Sequence, residues 1–156
     1  MRVIIVDLDN CVSDDHHRRH FLEKEPKDWD SYLDSCHQDS VHPWAVELID
    51  SFIAASEDLT IHDPIGITFV SGRMERVRKK TVGWIMSKFS FETEREFDLY
   101  LRKDNDFRKA WIFKEEVVQG INIENDIVFA MDDDTEIAKM YERNGITCLV
   151  PWNQKR

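Results

Sequence analysis

The sequence predicts an α/β layered domain built on a mainly parallel β-sheet. Short apolar runs alternate with stretches of helical periodicity from end to end, the pattern of strand–helix–strand units. Three of the runs, Val3–Val6, Ile65–Val70 and Ile127–Met131, are almost wholly apolar. Strands that pair in parallel, covered on both faces, read that way. With 156 residues, 42% hydrophobic and 33% charged, the chain fits a single domain over 1–156 and can bury a core.

The elements follow in order. Val3 to Val6 is the first strand and stops at Asp7. Residues 12–42 are polar and His-rich and read as an insertion, with a short helical piece around Trp29 to Cys36. Pro43 suits a first helical turn, and Ala45, Leu48, Ile49, Phe52 and Ile53 then share one helix face. Ile65 to Val70 is the second strand, ending at Ser71-Gly72-Arg73. A helix follows, with Val77, Thr81, Trp84 and Ile85 at helical spacing. Phe97 to Leu101 is a third strand, and Asp106 to Gln119 a helix stopped by Gly120. Ile127 to Met131 is the next strand and closes on Asp132-Asp133-Asp134. Thr135 to Asn144 is a helix capped by Asp134, with Gly145 at its end, and Ile146 to Val150 is the last strand. Trp44, Trp84 and Trp111 fall within helices and are expected in the core, whereas Trp29, in the insertion, is a candidate for stacking on a base.

Composition narrows the function. The net charge is −10, so a basic surface for long nucleic acid is lacking overall, and any such contact must be local. There is no G-x-x-x-x-G-K-[ST] string, which argues against P-loop nucleotide binding. No apolar run approaches the roughly 18 residues needed to span a bilayer. The opening M-R-V-I-I-V-D turns acidic too soon for a signal peptide. Three cysteines without a C-x-x-C pair favour a reducing, cytoplasmic setting.

In parallel sheets, ligands sit beyond the carboxyl ends of the strands. That rule brings Asp7 and Asp9, Ser71 to Arg73, and Asp132 with Asp133 toward one crevice. Carboxylates gathered at one spot repel each other unless one is protonated or a cation sits among them. Oxygen-only ligands select a hard cation such as Mg2+. Ser71, neighbouring backbone N–H groups, Arg73 and Lys114 add donors and positive charge, which makes a phosphate site. In V-D-L-D-N-C, Asp7 suits nucleophilic attack on phosphorus and Asp9 suits proton transfer.

The ordered set D-L-D-N-C at 7–11, F-V-S-G-R at 69–73, a lysine, and A-M-D-D-D at 130–134 resembles the haloacid-dehalogenase superfamily of phosphatases. More narrowly, Arg18, the string L-R-K-D-N-D-F-R-K-A-W-I-F-K-E-E-V at 101–117, and W-N-Q after the last strand resemble the phosphatase domain of phage-type polynucleotide kinase–phosphatases. The resemblance implies a three-layer Rossmann-like sheet with the first strand central, and a small cap over 12–42. It implies Asp7 as nucleophile and Asp9 as acid/base. Mg2+ would be held by Asp7, Asp132 and the backbone carbonyl of Asp9, supported by Asp133. Ser71, Gly72 and Arg73 would lie at the phosphoryl group with Lys114 neutralising it, and Arg18 and Arg73 would contact substrate phosphate. Two positions differ from the pattern: Ala110 replaces an acid that helps place the lysine, and Asn10-Cys11 replaces Gly-Thr.

The expected reaction is Mg2+-dependent removal of a 3′-phosphate from a nucleic-acid end through an aspartyl-phosphate. The same chemistry on a free nucleoside monophosphate is the alternative substrate. A non-catalytic phosphoacceptor or binding module is the alternative class. The order of motifs argues against a receiver, whose phosphoacceptor sits on a middle strand after an acidic pair. His16, His17 and His20 with Cys11, Cys36 and His37 suggest zinc by composition, but no paired-cysteine spacing supports it.

Overall fold

The structure, a computed structural model, describes residues 1–151. The W-N-Q string at 152–154 lies outside the described residues.

Five strands form one sheet: β1 (Arg2–Val6), β4 (Ile65–Met74), β5 (Phe97–Arg102), β6 (Asp126–Met131) and β7 (Cys148–Leu149). Their spatial order is β5-β4-β1-β6-β7, and every pairing is parallel. The first strand is therefore central, as expected. A second, two-stranded pair joins β2 (Ser13–Asp14) antiparallel to β3 (Ser40–Val41) and frames the insertion.

Alternation along β1 sets the layers. Ile4 and Val6 point to a core shared with Ala45, Ile49 and Ile53 of α2 (Pro43–Glu57) and Trp84 and Ile85 of α3 (Arg78–Lys88). Val3 and Ile5 point the other way, onto Phe113, Val118 and Ile121 of α4 (Ala110–Glu124) and Ile137, Met140 and Tyr141 of α5 (Thr135–Arg143). Helices thus cover both faces in three layers. Pro43 opens α2, Asp134 Oδ1 accepts from Glu136 N at the start of α5, and Gly145 at φ +75° turns the chain out of α5.

The insertion holds a short 3-10 helix (His16–Leu22) and α1 (Trp29–Asp34). Tyr32, Leu33 and Cys36 pack with Val77 to give it a small core of its own.

Several expected boundaries shift. The strand at Ile65 runs on to Met74, so Ser71, Gly72 and Arg73 belong to β4 rather than following it; the register slips between Ser71 and Met74. The fourth helix starts at Ala110, because Asp106 and Arg108 bond each other across a turn. Nor does it stop at Gly120. An interior glycine costs a helix about 1 kcal/mol, whereas burying Ile121, 5% exposed, gains about 2 kcal/mol. β7 is only two residues long. Trp84 is buried and Trp111 packs against the core, but Trp44 is 37% exposed in the first turn of α2, stacked on His42. None of the three cysteines forms a disulfide, and no helix among the described residues is long and apolar enough to cross a membrane.

Candidate active site

The carboxyl ends of the three central strands deliver the polar residues to one place. Asp7 follows β1, its N–H bonded to Met131 O of β6 at 2.9 Å; Asp132 follows β6, its N–H bonded to Leu149 O at 3.2 Å. After Asp7 the chain must turn sharply. Leu8 O accepts the N–H groups of Cys11, Val12 and Ser13, and Asn10 adopts φ +59° to close that turn. Asparagine is one of the few non-glycine residues that enters the left-handed region readily, so it can stand where the family pattern has glycine.

Asp7, Asp132 and Asp133 each place one carboxylate oxygen within 4.8 Å of the others. Lys114, from the second turn of α4, reaches between two of them: Nζ donates to Asp7 Oδ1 at 2.7 Å and to Asp132 Oδ2 at 2.5 Å. It does so with Ala110 one turn earlier, so these two aspartates orient the lysine in place of the missing acid. Burial pushes the Asp7 carboxyl well above the usual carboxylate range, and Asp132 and Asp133 push the same way against the pull of Lys114. For Lys114, burial opposes the charge, yet Asp132 and Asp7 hold it protonated, well above the ordinary lysine value.

Asp9 lies apart from this cluster. Its Oδ1 accepts from Arg18 Nη2 at 2.6 Å, Arg73 Nη2 at 2.7 Å and Arg73 Nε at 2.9 Å, whereas Oδ2 accepts none of these bonds. Burial alone would raise its carboxyl, but the guanidinium groups of Arg73 and Arg18 hold it far below the carboxylate range. Both arginines have no exposed side-chain surface. Expected at the substrate phosphate, they are instead engaged with carboxylates: besides Asp9, Arg18 donates to Asp39 at 2.7 and 2.6 Å, and Arg73 Nη2 donates to it at 3.0 Å. Of the two, only Arg73 borders the cleft. Ser71 is fully buried, and its Oγ accepts from Arg73 N at 3.2 Å.

Two further residues enter the site in roles that no motif marks. Asp39 closes the arginine network and also lies 2.8 Å from His17 Nε2, with its backbone carbonyl bonded to Trp84 Nε1. It sits in an irregular stretch with no motif to mark it. Asn10 donates to Asp133 Oδ2 at 2.7 Å while its Oδ1 accepts from Arg19 Nη2 at 2.6 Å, which ties the insertion to the acidic cluster. Its departure from the glycine pattern was the one available signal. Of the other insertion histidines, His20 packs on Phe21 and His37 bonds Asp34 O.

A cleft of about 550 Å3 opens over these groups. Asp7, Asp9, Lys114, Asp132 and Asp133 line it with Gly72, and Trp29, Phe107, Arg76 and Arg102 line it from more exposed positions. Arg102 has a buried Nε without a hydrogen-bond partner, and its Nη1 is held by the carbonyl of Arg108 at 2.9 Å. Arg108 itself pairs with Asp106 and Glu116, and Lys109 approaches Glu136 at 4.0 Å.

Three carboxylates gather here around one ammonium and offer oxygen ligands only. That donor set fits a hard divalent cation.

A family profile described as the polynucleotide kinase PNKP phosphatase domain matches residues 1–151. Comparison with curated proteins gave no match. Among solved structures, a chain of the Pnkp1/Rnl/Hen1 RNA repair complex superposes with a TM-score of 0.71 at 20% identity, over 96% of this chain and 42% of that one. The present chain thus spans less than half of that protein. A class C acid phosphatase from Bacillus anthracis with tungstate bound gives 0.67 at 15% identity, over 99% and 68% of the two chains. A haloacid dehalogenase-like hydrolase from Streptococcus pneumoniae gives 0.61 at 12% identity, over 95% and 83%. At these identities the structural likeness speaks for the fold.

Proposed function

The chain belongs to the polynucleotide kinase phosphatase-domain family of haloacid-dehalogenase phosphatases, hydrolases of phosphomonoesters, and from that premise we propose that it removes 3′-phosphate groups from nucleic-acid ends with Mg2+ and an aspartyl-phosphate intermediate. The observation that carries the reading is the Lys114 ammonium bridging Asp7 and Asp132 beside Asp133 in the cleft.

The side chains of Asp7 and Asp132 would hold the cation with the backbone carbonyl of Asp9, and Asp133 would support them. When bound, Mg2+ supplies positive charge to the phosphoryl oxygens and relieves the repulsion among the carboxylates. An oxygen of Asp7 attacks phosphorus, and the bond to the 3′-oxygen breaks. Asp9, ionised in the free site by its arginines, takes up a proton as the phosphate dianion enters beside it, gives that proton to the leaving oxygen, then takes one from the water that hydrolyses the aspartyl-phosphate. Asp9 Oδ2 is the atom suited to both transfers, because Oδ1 is committed to the arginines. Lys114 neutralises charge on the transferring group, with Ser71 and Gly72 at the strand end beside it. Arg18 and Arg73 act by fixing Asp9. We take residues 12–42 as the cap of this single domain.

Arg102 supports a substrate with more than one phosphate. It is a cleft-lining guanidinium with no carboxylate within ion-pair distance among the described residues and with an unpaired Nε. A mononucleotide substrate is the second reading, favoured by the net charge of −10 and by Asp30 and Asp104 along the cleft. Phosphate release from 3′- and 5′-phosphorylated oligonucleotides and from mononucleotides, with Asp7→Asn as control, decides between them. Preferential release from the 3′-phosphorylated oligomer is expected; equal or faster release from mononucleotides would overturn the choice.

A further inference from the structure

We propose that Trp29 and Phe107 form a base-stacking pair that grips the nucleobase of the nucleotide bearing the 3′-phosphate, an inference that takes the polynucleotide reading above as given. Among the described residues four aromatic side chains are markedly exposed: Trp29 at 51%, Trp44 at 37%, Tyr100 at 41% and Phe107 at 80%. Two of the four, Trp29 and Phe107, line the same cleft as Asp7 and Lys114. Neither belongs to a hydrophobic core cluster, so packing does not account for them.

They come from different parts of the chain, and each is set in place beforehand. Trp29 is the first residue of α1, whose N-terminus Asp28 caps through Ser31 N. Its ring stands edge-on to Tyr32 at 5.9 Å and 90°. Tyr32 in turn is fixed by its hydroxyl, which donates to Asp15 at 2.6 Å. Phe107 lies between two immobilised neighbours. Asp106 N donates to Lys103 O at 3.0 Å, and the Asp106 carboxylate holds Arg108 at 3.0 and 2.8 Å. Arg108 also grips Glu116 on α4, and its carbonyl accepts from Arg102. The Phe107 backbone is therefore tied down on both sides while the ring is left in solvent. A ring carried on a preset backbone loses less freedom on binding, which favours affinity.

Aromatic faces stack on any base, because every base has a π-face, so this grip is tolerant of sequence. It also explains how an acidic protein holds a polyanion end: the base supplies contact that does not depend on a basic surface.

The test is a cycle on the enzyme with Mg2+ present, measuring phosphate release from a 3′-phosphorylated oligonucleotide and from the same oligomer with its terminal base removed. In the wild type, removing the base should raise KM by roughly 5- to 100-fold with little change in kcat, the range of aromatic–base stacking. In the Trp29→Ala/Phe107→Ala double variant, KM for the intact oligomer should rise by a similar factor, and removing the base should then add no more than about twofold to it. Trp29→Phe with Phe107→Tyr should keep most of the base dependence. If the double variant shows the full wild-type penalty for base removal, or if base removal leaves the wild-type KM unchanged, the proposal is wrong while the 3′-phosphatase reading stands. If the wild type releases phosphate from neither oligomer but does so from glycerol phosphate, the 3′-phosphatase reading itself fails, and this inference with it.

Discussion

Replacing Asp39 with asparagine keeps the shape of a buried side chain and removes its charge. The network around it holds two carboxylates, Asp9 and Asp39, against two guanidiniums, Arg18 and Arg73. Asp39 has no exposed side-chain surface and accepts three arginine bonds at 2.6 to 3.0 Å. After the substitution two buried cations face one anion. Removing one member of a buried ion pair costs about 3–5 kcal/mol, because the remaining charge is left uncompensated. For a chain of this size each kcal/mol lowers Tm by about 2–4 °C, so the expected fall is about 6–20 °C. Asp34→Asn is the control. Asp34 is 56% exposed and pairs with Lys80 at 3.4 Å and Arg76 at 3.8 Å, and exposed pairs contribute at most about 1 kcal/mol. Thermal unfolding followed by circular dichroism reads both. A Tm for Asp39→Asn no lower than that of Asp34→Asn would refute the view that the arginine pair is held by a desolvated charge network.

Other outcomes follow from the same contacts. Chelation with EDTA should stop turnover, and added Mg2+ should restore it and raise Tm, since a ligand bound only by the folded state stabilises it; unchanged rates in chelator would remove the metal from the mechanism. Asn10→Gly keeps the left-handed turn but cuts the bond to Asp133, so calorimetry should show weaker Mg2+ binding with the fold retained; unaltered affinity would show that Asn10 serves the turn alone. Asp9 has its folded-state carboxyl lowered, so the stability it confers is complete above the unfolded value, about 3.9, and drains away as pH falls below that. Urea unfolding of the metal-free protein should accordingly show a shallower loss of stability below about pH 4 in Asp9→Asn than in the wild type; equal slopes would contradict the arginine clamp.

Much of the fold was legible because buried parallel strands carry their own signature. Val3–Val6 and Ile127–Met131 are apolar throughout, and the aspartates that end them mark the edge of the sheet where the cleft lies. Gly145 and Asp134 announced the ends of α5 through their local chemistry. What failed to show is equally physical. Glycine preference is a weak local term, so Gly120 could not announce that Ile121 would hold its helix together. Apart from the short helix α1, residues 13–41 fold through 3-10 turns, two-residue strands and charge pairs rather than through periodicity. Asp39 is therefore indistinguishable in sequence from a surface aspartate, although the structure buries it against the two arginines that hold Asp9. The resemblance sets Arg18 and Arg73 at substrate phosphate, but a sequence cannot say whether a guanidinium faces substrate or a buried carboxylate.

The central claim is that Asp7 carries the phosphoryl group in a cleft whose charge is balanced by Lys114 and a divalent cation. The most direct measurement is rapid acid quench of a single turnover on a 3′-phosphorylated oligonucleotide with Mg2+, followed by mass spectrometry of the N-terminal peptide. A transient phosphoryl adduct on Asp7, absent from Asp7→Asn along with turnover, is the predicted result. Phosphate release at the wild-type rate by Asp7→Asn, with no adduct in either protein, would contradict it.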